Sequence, residues 1–113
     1  MLPDWNLPFK VVTDACQYGI GAVLLQTDGN GTERPIAFYS KYLSETDMKW
    51  STRDRELYAF VVALDKWKYF LLGRSFLWQS DHEPLANPEP EPSDRVSRWY
   101  EKLSRYDYRF KYV

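Results

Sequence analysis

"STRDRELYAFVVALDKWKYFLLG", Ser51 to Gly73, is the stretch that decides the fold. Leu57, Phe60, Leu64, Trp67 and Leu71 recur at helical spacing and form one apolar stripe, so the stretch reads as one long amphipathic helix. Ser51 with Asp54 three residues on is a start signal of the capping-box type, and Gly73 is a stop signal. One residue breaks the pattern. On a wheel of about 100° per residue Glu56 lies about 40° from Phe60 and about 20° from Trp67, so a carboxylate sits at the edge of the face that must be buried.

Upstream lie three strand signals. Residues 8–15, "PFKVVTDA", are a β-branched run, and "CQYG" turns the chain. Residues 20–27, "IGAVLLQT", are a largely apolar strand in which Gly21, like Gly19 before it, permits close backbone approach. "DGNG" (Asp28 to Gly31) is a hairpin signal and lacks the Lys-Ser/Thr of a phosphate loop. Residues 34–41, "RPIAFYSK", form the returning strand, with Pro35 suited to its first residue or to an edge. "YLSETDMKW" reads as a polar loop into the helix.

Downstream, residues 75–81, "SFLWQSD", read as a fourth strand, and "NPEPEPSD" (Asn87 to Asp94) as an extended surface linker. A second helix runs from Asp94 to about Arg105, capped by Ser93 or Asp94, with Val96, Trp99, Tyr100 and Leu103 on one face. "YDYRFKYV" alternates Tyr106, Tyr108, Phe110 and Tyr112 with Asp107, Arg109 and Lys111, a strand with one buried side. The order β-β-β-α-β-α-β gives three antiparallel strands, then helical crossovers that bring in parallel strands. The fold class is therefore α/β, a five-stranded mixed sheet with helices packed on it.

Composition agrees with one soluble globular domain over residues 1–113: hydrophobic residues are 44%, charged residues 27% and aromatics 18%. A formal net charge of −1 gives no global reason to expect nucleic acid, which leaves local patches to supply one. A single cysteine, Cys16, excludes an internal disulfide and a cysteine zinc cluster. No apolar run is long enough to span a bilayer and the start does not read as a signal peptide, so no membrane partner and an intracellular setting are expected.

Three acids stand out by position. Asp14 closes the first strand, Asp81 the fourth, and Glu56 lies in the first turns of the long helix. The crossover rule sets the fourth strand parallel to the first, which brings Asp14 and Asp81 to the same end of neighbouring strands. Each also has a local reading: Asp14 as an Asx-turn starter, Asp81 as a cap before "HEPL", Glu56 as a charge at a helix N-terminus. Together, three converging anions repel unless a cation binds between them, and oxygen donors without a His or Cys cluster point to Mg²⁺ or Mn²⁺.

With these residues placed, "VVTDACQYGIGAVLLQ", "RPIAFYSKYLS", "WSTRDRELYAFVVALDKWKYFLLG", "SDHEPL" and "RWYEKLSRYDYRFKYV", in that order, resemble the ribonuclease H domain of gypsy-type LTR retrotransposon polyproteins. The resemblance implies a ribonuclease H-like fold and hydrolysis of the RNA strand of an RNA–DNA hybrid during reverse transcription. It assigns Asp14, Glu56 and Asp81 as metal-binding and catalytic carboxylates for two Mg²⁺ or Mn²⁺ ions about 4 Å apart that bracket the scissile phosphate, one activating water and one stabilising the leaving 3′ oxygen. It implies that residues 1–8 are a linker from a preceding polymerase region, and it sets the domain in the cytoplasm or a virus-like particle. The family also carries a fourth aspartate on a C-terminal helix that is absent here, since the chain stops at Val113. The expectation is a monomeric fragment that cleaves poorly alone and is rescued by that helix. The alternative is an inactive ribonuclease H-fold tether or a domesticated binding module.

Weaker signals complete the reading. Arg95, Arg98, Lys102 and Arg105 share one stripe of the second helix, which is either a solvated face or a phosphate-binding one. Cys16, Gln17 and Tyr18, beside Asp14, are candidates by position for reading the 2′-hydroxyl of a hybrid. His82, the only histidine, is read as a helix-start residue that orients Asp81.

Overall fold

The computed structural model describes residues 2–82, 85 and 87–113. Three antiparallel strands come first: β1 (Phe9–Ala15), β2 (Gly19–Thr27) and β3 (Glu33–Tyr42). They lead through a short helix α1 (Glu45–Met48) into α2 (Thr52–Lys66) and α3 (Lys68–Leu71), then β4 (Ser75–Ser80), α4 (Asp94–Leu103) and β5 (Asp107–Tyr112). The five strands lie in the order β3-β2-β1-β4-β5, with β4 parallel to β1 and β5 parallel to β4. This is the mixed sheet that the alternation of patterns predicts.

Burial follows the period of each element. Phe9, Val11 and Thr13 of β1 and Ile20, Ala22, Leu24 and Gln26 of β2 are buried, and the residues between them are not. α2 lays Leu57, Phe60 and Leu64 on this face. Its closest anchor is Phe60 on Trp78 of β4, with ring centroids 3.8 Å apart and planes 5° apart. The Trp78 indole N–H donates to Thr13 Oγ1 at 2.8 Å, so the largest ring of the core brings no unpaired polar group with it.

Three features depart from the sequence reading. "YLSETDMKW" contains α1, capped by the Ser44 side chain, which accepts from the Asp47 N–H at 3.1 Å. The single long helix breaks at Trp67 (φ −113°, ψ 29°), where the chain buries Trp67 and Leu71 and also lays Phe70 against Trp5 and Phe9. Gly73, at φ +80°, is the expected stop. On β5 only Tyr108 and Phe110 are half covered and Tyr112 is 54% exposed, because an edge strand reaches past the helix layer.

Within the segment read as a linker, residues 4–7 dock on the domain. Gln26, fully buried, holds them with its amide: Oε1 accepts from the Asp4 N–H at 2.9 Å, and Nε2 donates to the carbonyls of Asp4 (2.8 Å) and Leu7 (3.0 Å). Trp5 stacks on Phe70, and the Arg74 guanidinium lies 4.8 Å from the Trp5 ring. Replacement Gln26→Leu keeps the volume and strips these bonds. We expect a loss of about 2 kcal/mol in urea unfolding and a red shift of Trp5 emission; unchanged Trp5 emission would show that stacking alone holds the segment.

Candidate metal centre

The parallel pairing of β1 with β4 sets Val12 opposite Gln79, so two residues further along each strand bring Asp14 and Asp81 level at the same end of the sheet. β4 itself ends at Ser80 and Asp81 follows it. α2 starts at that end under its Ser51 cap, whose side chain accepts from the Asp54 N–H at 3.1 Å. One turn in, Glu56 turns toward the two strands because Leu57 and Phe60 hold the adjoining face in the core. The result is that Asp14, Glu56 and Asp81 each offer a carboxylate oxygen within 4.8 Å of the others.

The three differ in environment. Asp14 and Asp81 are exposed, and Asp14 Oδ1 accepts from the Ala15 N–H at 2.9 Å. Glu56 is 4% exposed and its Oε2 has no hydrogen-bond partner. Burial first, then the charges of Asp14 and Asp81, push its carboxyl up to about 7. A buried carboxyl group with an unpartnered oxygen, beside two further carboxylates, is chemically suited to hold a cation. The donor set is all oxygen, which fits Mg²⁺ or Mn²⁺.

Beside it on the open side of the sheet is a cavity of about 460 Å³ lined by Asp14, Cys16, Tyr18, Lys41 and Tyr42, among others. The strands close up here because Gly19 has no side chain: a Cβ would come within 2.9 Å of the Lys41 carbonyl oxygen. Tyr18 is 62% and Tyr42 88% exposed at its mouth. Gln17 is exposed in the same turn. Tyr42 ends its strand, and only the register with Gly19 places it across from that turn.

The basic stripe of α4 divides. Arg95 Nη2 pairs with Asp54 Oδ2 of α2 at 2.8 Å, its guanidinium lying 4.4 Å from the Trp50 ring. Lys102 Nζ pairs with Asp65 Oδ2 at 2.8 Å. These two therefore join α4 to α2, while Arg98 and Arg105 stay exposed. The His82 N–H donates to Ser80 Oγ at 3.2 Å, and among the described residues no hydrogen bond joins its ring to Asp81. The helix start read at "HEPL" falls on Glu83 and Pro84, which lie outside the described residues.

Glu56 makes stability depend on pH. Its folded value of about 7 exceeds the ordinary 4.5, so its contribution is fully present below pH 4.5 and is lost as pH rises through 7. Glu56→Gln stays neutral and donates toward the two aspartates. Without divalent ions we expect it to be more stable than the parent at pH 8 by about 2–3 kcal/mol, the difference fading toward pH 4. A less stable variant at pH 8 would contradict this electrostatic account.

Known proteins share this fold and sequence. The family described as "RNase H-like domain found in reverse transcriptase" matches residues 4–106. The chain is 39% identical over 114 residues to the retrovirus-related Pol polyprotein from transposon 297 of Drosophila melanogaster, covering 99% of this chain and 10% of that one. It is 35% identical over 113 residues to the polyprotein from transposon gypsy of the same fly, covering 97% and 10%. The chain thus spans about a tenth of the length of these relatives. Among solved structures, the foamy viral protease-reverse transcriptase in complex with double-stranded DNA superposes with a TM-score of 0.78 at 22% identity, covering 98% of this chain and 24% of that one. LC11-RNase H1 in complex with an RNA/DNA hybrid gives 0.65 at 16%, covering 93% and 84%. With the fold, the strand order and a family match over most of its length in agreement, the chain belongs to the RNase H-like domains of reverse transcriptases.

Proposed function

We propose that this domain is a divalent-metal-dependent endoribonuclease that hydrolyses the RNA strand of RNA–DNA hybrids as part of a longer retrotransposon polyprotein. The observation that carries the reading is the convergence of Asp14, Glu56 and Asp81 within 4.8 Å around a buried Glu56 oxygen that has no hydrogen-bond partner. We propose two Mg²⁺ or Mn²⁺ ions as the cofactor. When bound they would supply Lewis acidity to a phosphodiester and lower the pKa of a water.

The chain's own residues hold and aim. Glu56, fixed by the packing of α2, anchors the site from below, and Asp14 and Asp81 present their carboxylates on the open side where a strand can approach. The three charges offset those of the ions. Water is the nucleophile: a new P–O bond forms from it as the P–O3′ bond breaks, leaving a 3′-hydroxyl and a 5′-phosphate, so no side chain is acylated or phosphorylated. In this reading Gln17 and Tyr18, in the turn beside Asp14, contact the hybrid. Arg98 and Arg105, the exposed half of the stripe, contact phosphates, with Arg95 and Lys102 adding to the local field. The preceding polymerase region of the polyprotein delivers the hybrid, in the cytoplasm or a virus-like particle.

Cleavage tests the reading. The 113-residue chain and a longer polyprotein segment containing it are incubated with an end-labelled hybrid and Mn²⁺ or Mg²⁺. We expect metal-dependent cuts in the RNA strand from the longer segment and little or none from the 113-residue chain, and Asp14→Asn in the longer segment to lower the rate by at least about 100-fold. Hybrid binding without cleavage by the longer segment would favour the binding-module reading. For the surface, Arg98→Glu with Arg105→Glu should weaken hybrid binding and lower its salt slope by about one per lost phosphate contact; an unchanged slope would leave the stripe a solvated face.

A further inference from the structure

Of the three carboxylates Asp81 is held least. Asp14 accepts the Ala15 N–H within its strand, and Glu56 is fixed by burial on α2. Among the described residues no hydrogen bond reaches the Asp81 carboxylate, and Asp81 lies past the end of β4. Its place therefore depends on the chain on either side. Before it, Ser80 is fixed: it is buried, its carbonyl accepts the Val113 N–H at 3.1 Å, and its Oγ accepts the His82 N–H. Beyond it the chain is caught by buried Leu85 and then by one side chain of α2.

That side chain is Arg53, one turn before Glu56. Its Nη2 donates to the Asn87 carbonyl and, at 3.0 Å, to the Tyr100 hydroxyl of α4. The same hydroxyl accepts the Glu89 N–H at 3.2 Å. Arg53 and Tyr100 thus clamp Asn87 and Glu89, on the chain after Asp81, onto the turn of helix that carries Glu56. We propose that Arg53, with Tyr100, is a positioning residue that sets the separation of Asp81 from Glu56 and so the affinity of the site for divalent cations. This rests on the metal reading of the three carboxylates. The chemistry of a guanidinium suits this role, since it can hold a main-chain carbonyl and a hydroxyl in one fixed plane, and ligands that repel one another need their backbones held from outside.

The test is Mn²⁺ titration of the 113-residue chain, read by paramagnetic broadening of amides next to Asp14 and Asp81, with thermal melts alongside. Arg53→Met and Tyr100→Phe should each weaken Mn²⁺ binding at these amides about tenfold. The double variant should lose little more than either alone, since both act through one clamp. Tyr106→Phe, which removes a comparable hydroxyl bond to the Leu64 carbonyl at the far end of α2, should leave the affinity unchanged. Arg53→Met and Tyr100→Phe variants that melt lower but bind Mn²⁺ like the parent would overturn the inference and leave the proposed function standing. A parent chain whose amides near Asp14 and Asp81 never broaden would remove the metal reading, and the inference with it.

Discussion

Three carboxylates within 4.8 Å of one another repel, and the fold nevertheless brings them together. At separations of this size each ionised pair costs on the order of 1–4 kcal/mol between the dielectric of water and that of a protein surface. The fold resists on two fronts. The parallel β1–β4 ladder brings the strand ends beside Asp14 and Asp81 level, and the stacking of Phe60 on Trp78 fixes the helix that carries Glu56. Without a cation, the remaining release is for Glu56 to keep its proton up to about pH 7. Core packing and site electrostatics are therefore one problem: the same α2 face that buries Leu57 and Phe60 forces a carboxyl group out of water.

The elements that determine the topology were legible because they are long and strongly patterned. Period-2 burial on β1 and β2, the apolar stripe of α2 and the alternation of β5 each point to one state, and the crossover rule then orders the sheet. Glu56 was legible as an exception to its own stripe. What stayed hidden depends on contacts distant in sequence. The break at Trp67 answers to Trp5 and Phe9, and the docking of residues 4–7 answers to a glutamine on β2. A one-turn helix such as α1 carries no periodicity to read, only a serine cap. Half of the basic stripe on α4 proved to face acids on α2, because a wheel gives the direction of a side chain and not what lies there.

Charges on this surface have separate roles. Ion pairs at Asp54 and Asp65 join two helices, and each adds little to stability at such exposure. Their effect is geometric, since they fix α4 against α2 and with it Tyr100 against Arg53. A chain with a formal net charge of −1 can in this way keep a concentrated acidic site and still present exposed arginines on a neighbouring helix.

The central claim is that Asp14, Glu56 and Asp81 form one cation site. Anomalous diffraction from crystals of the chain grown with Mn²⁺ tests it most directly, because it locates the ion without reference to activity. We expect an anomalous peak in contact with the Glu56 oxygen that has no hydrogen-bond partner and with both aspartates, lost in Glu56→Gln crystals. Manganese bound elsewhere on the surface, with no anomalous peak beside Glu56, would contradict it.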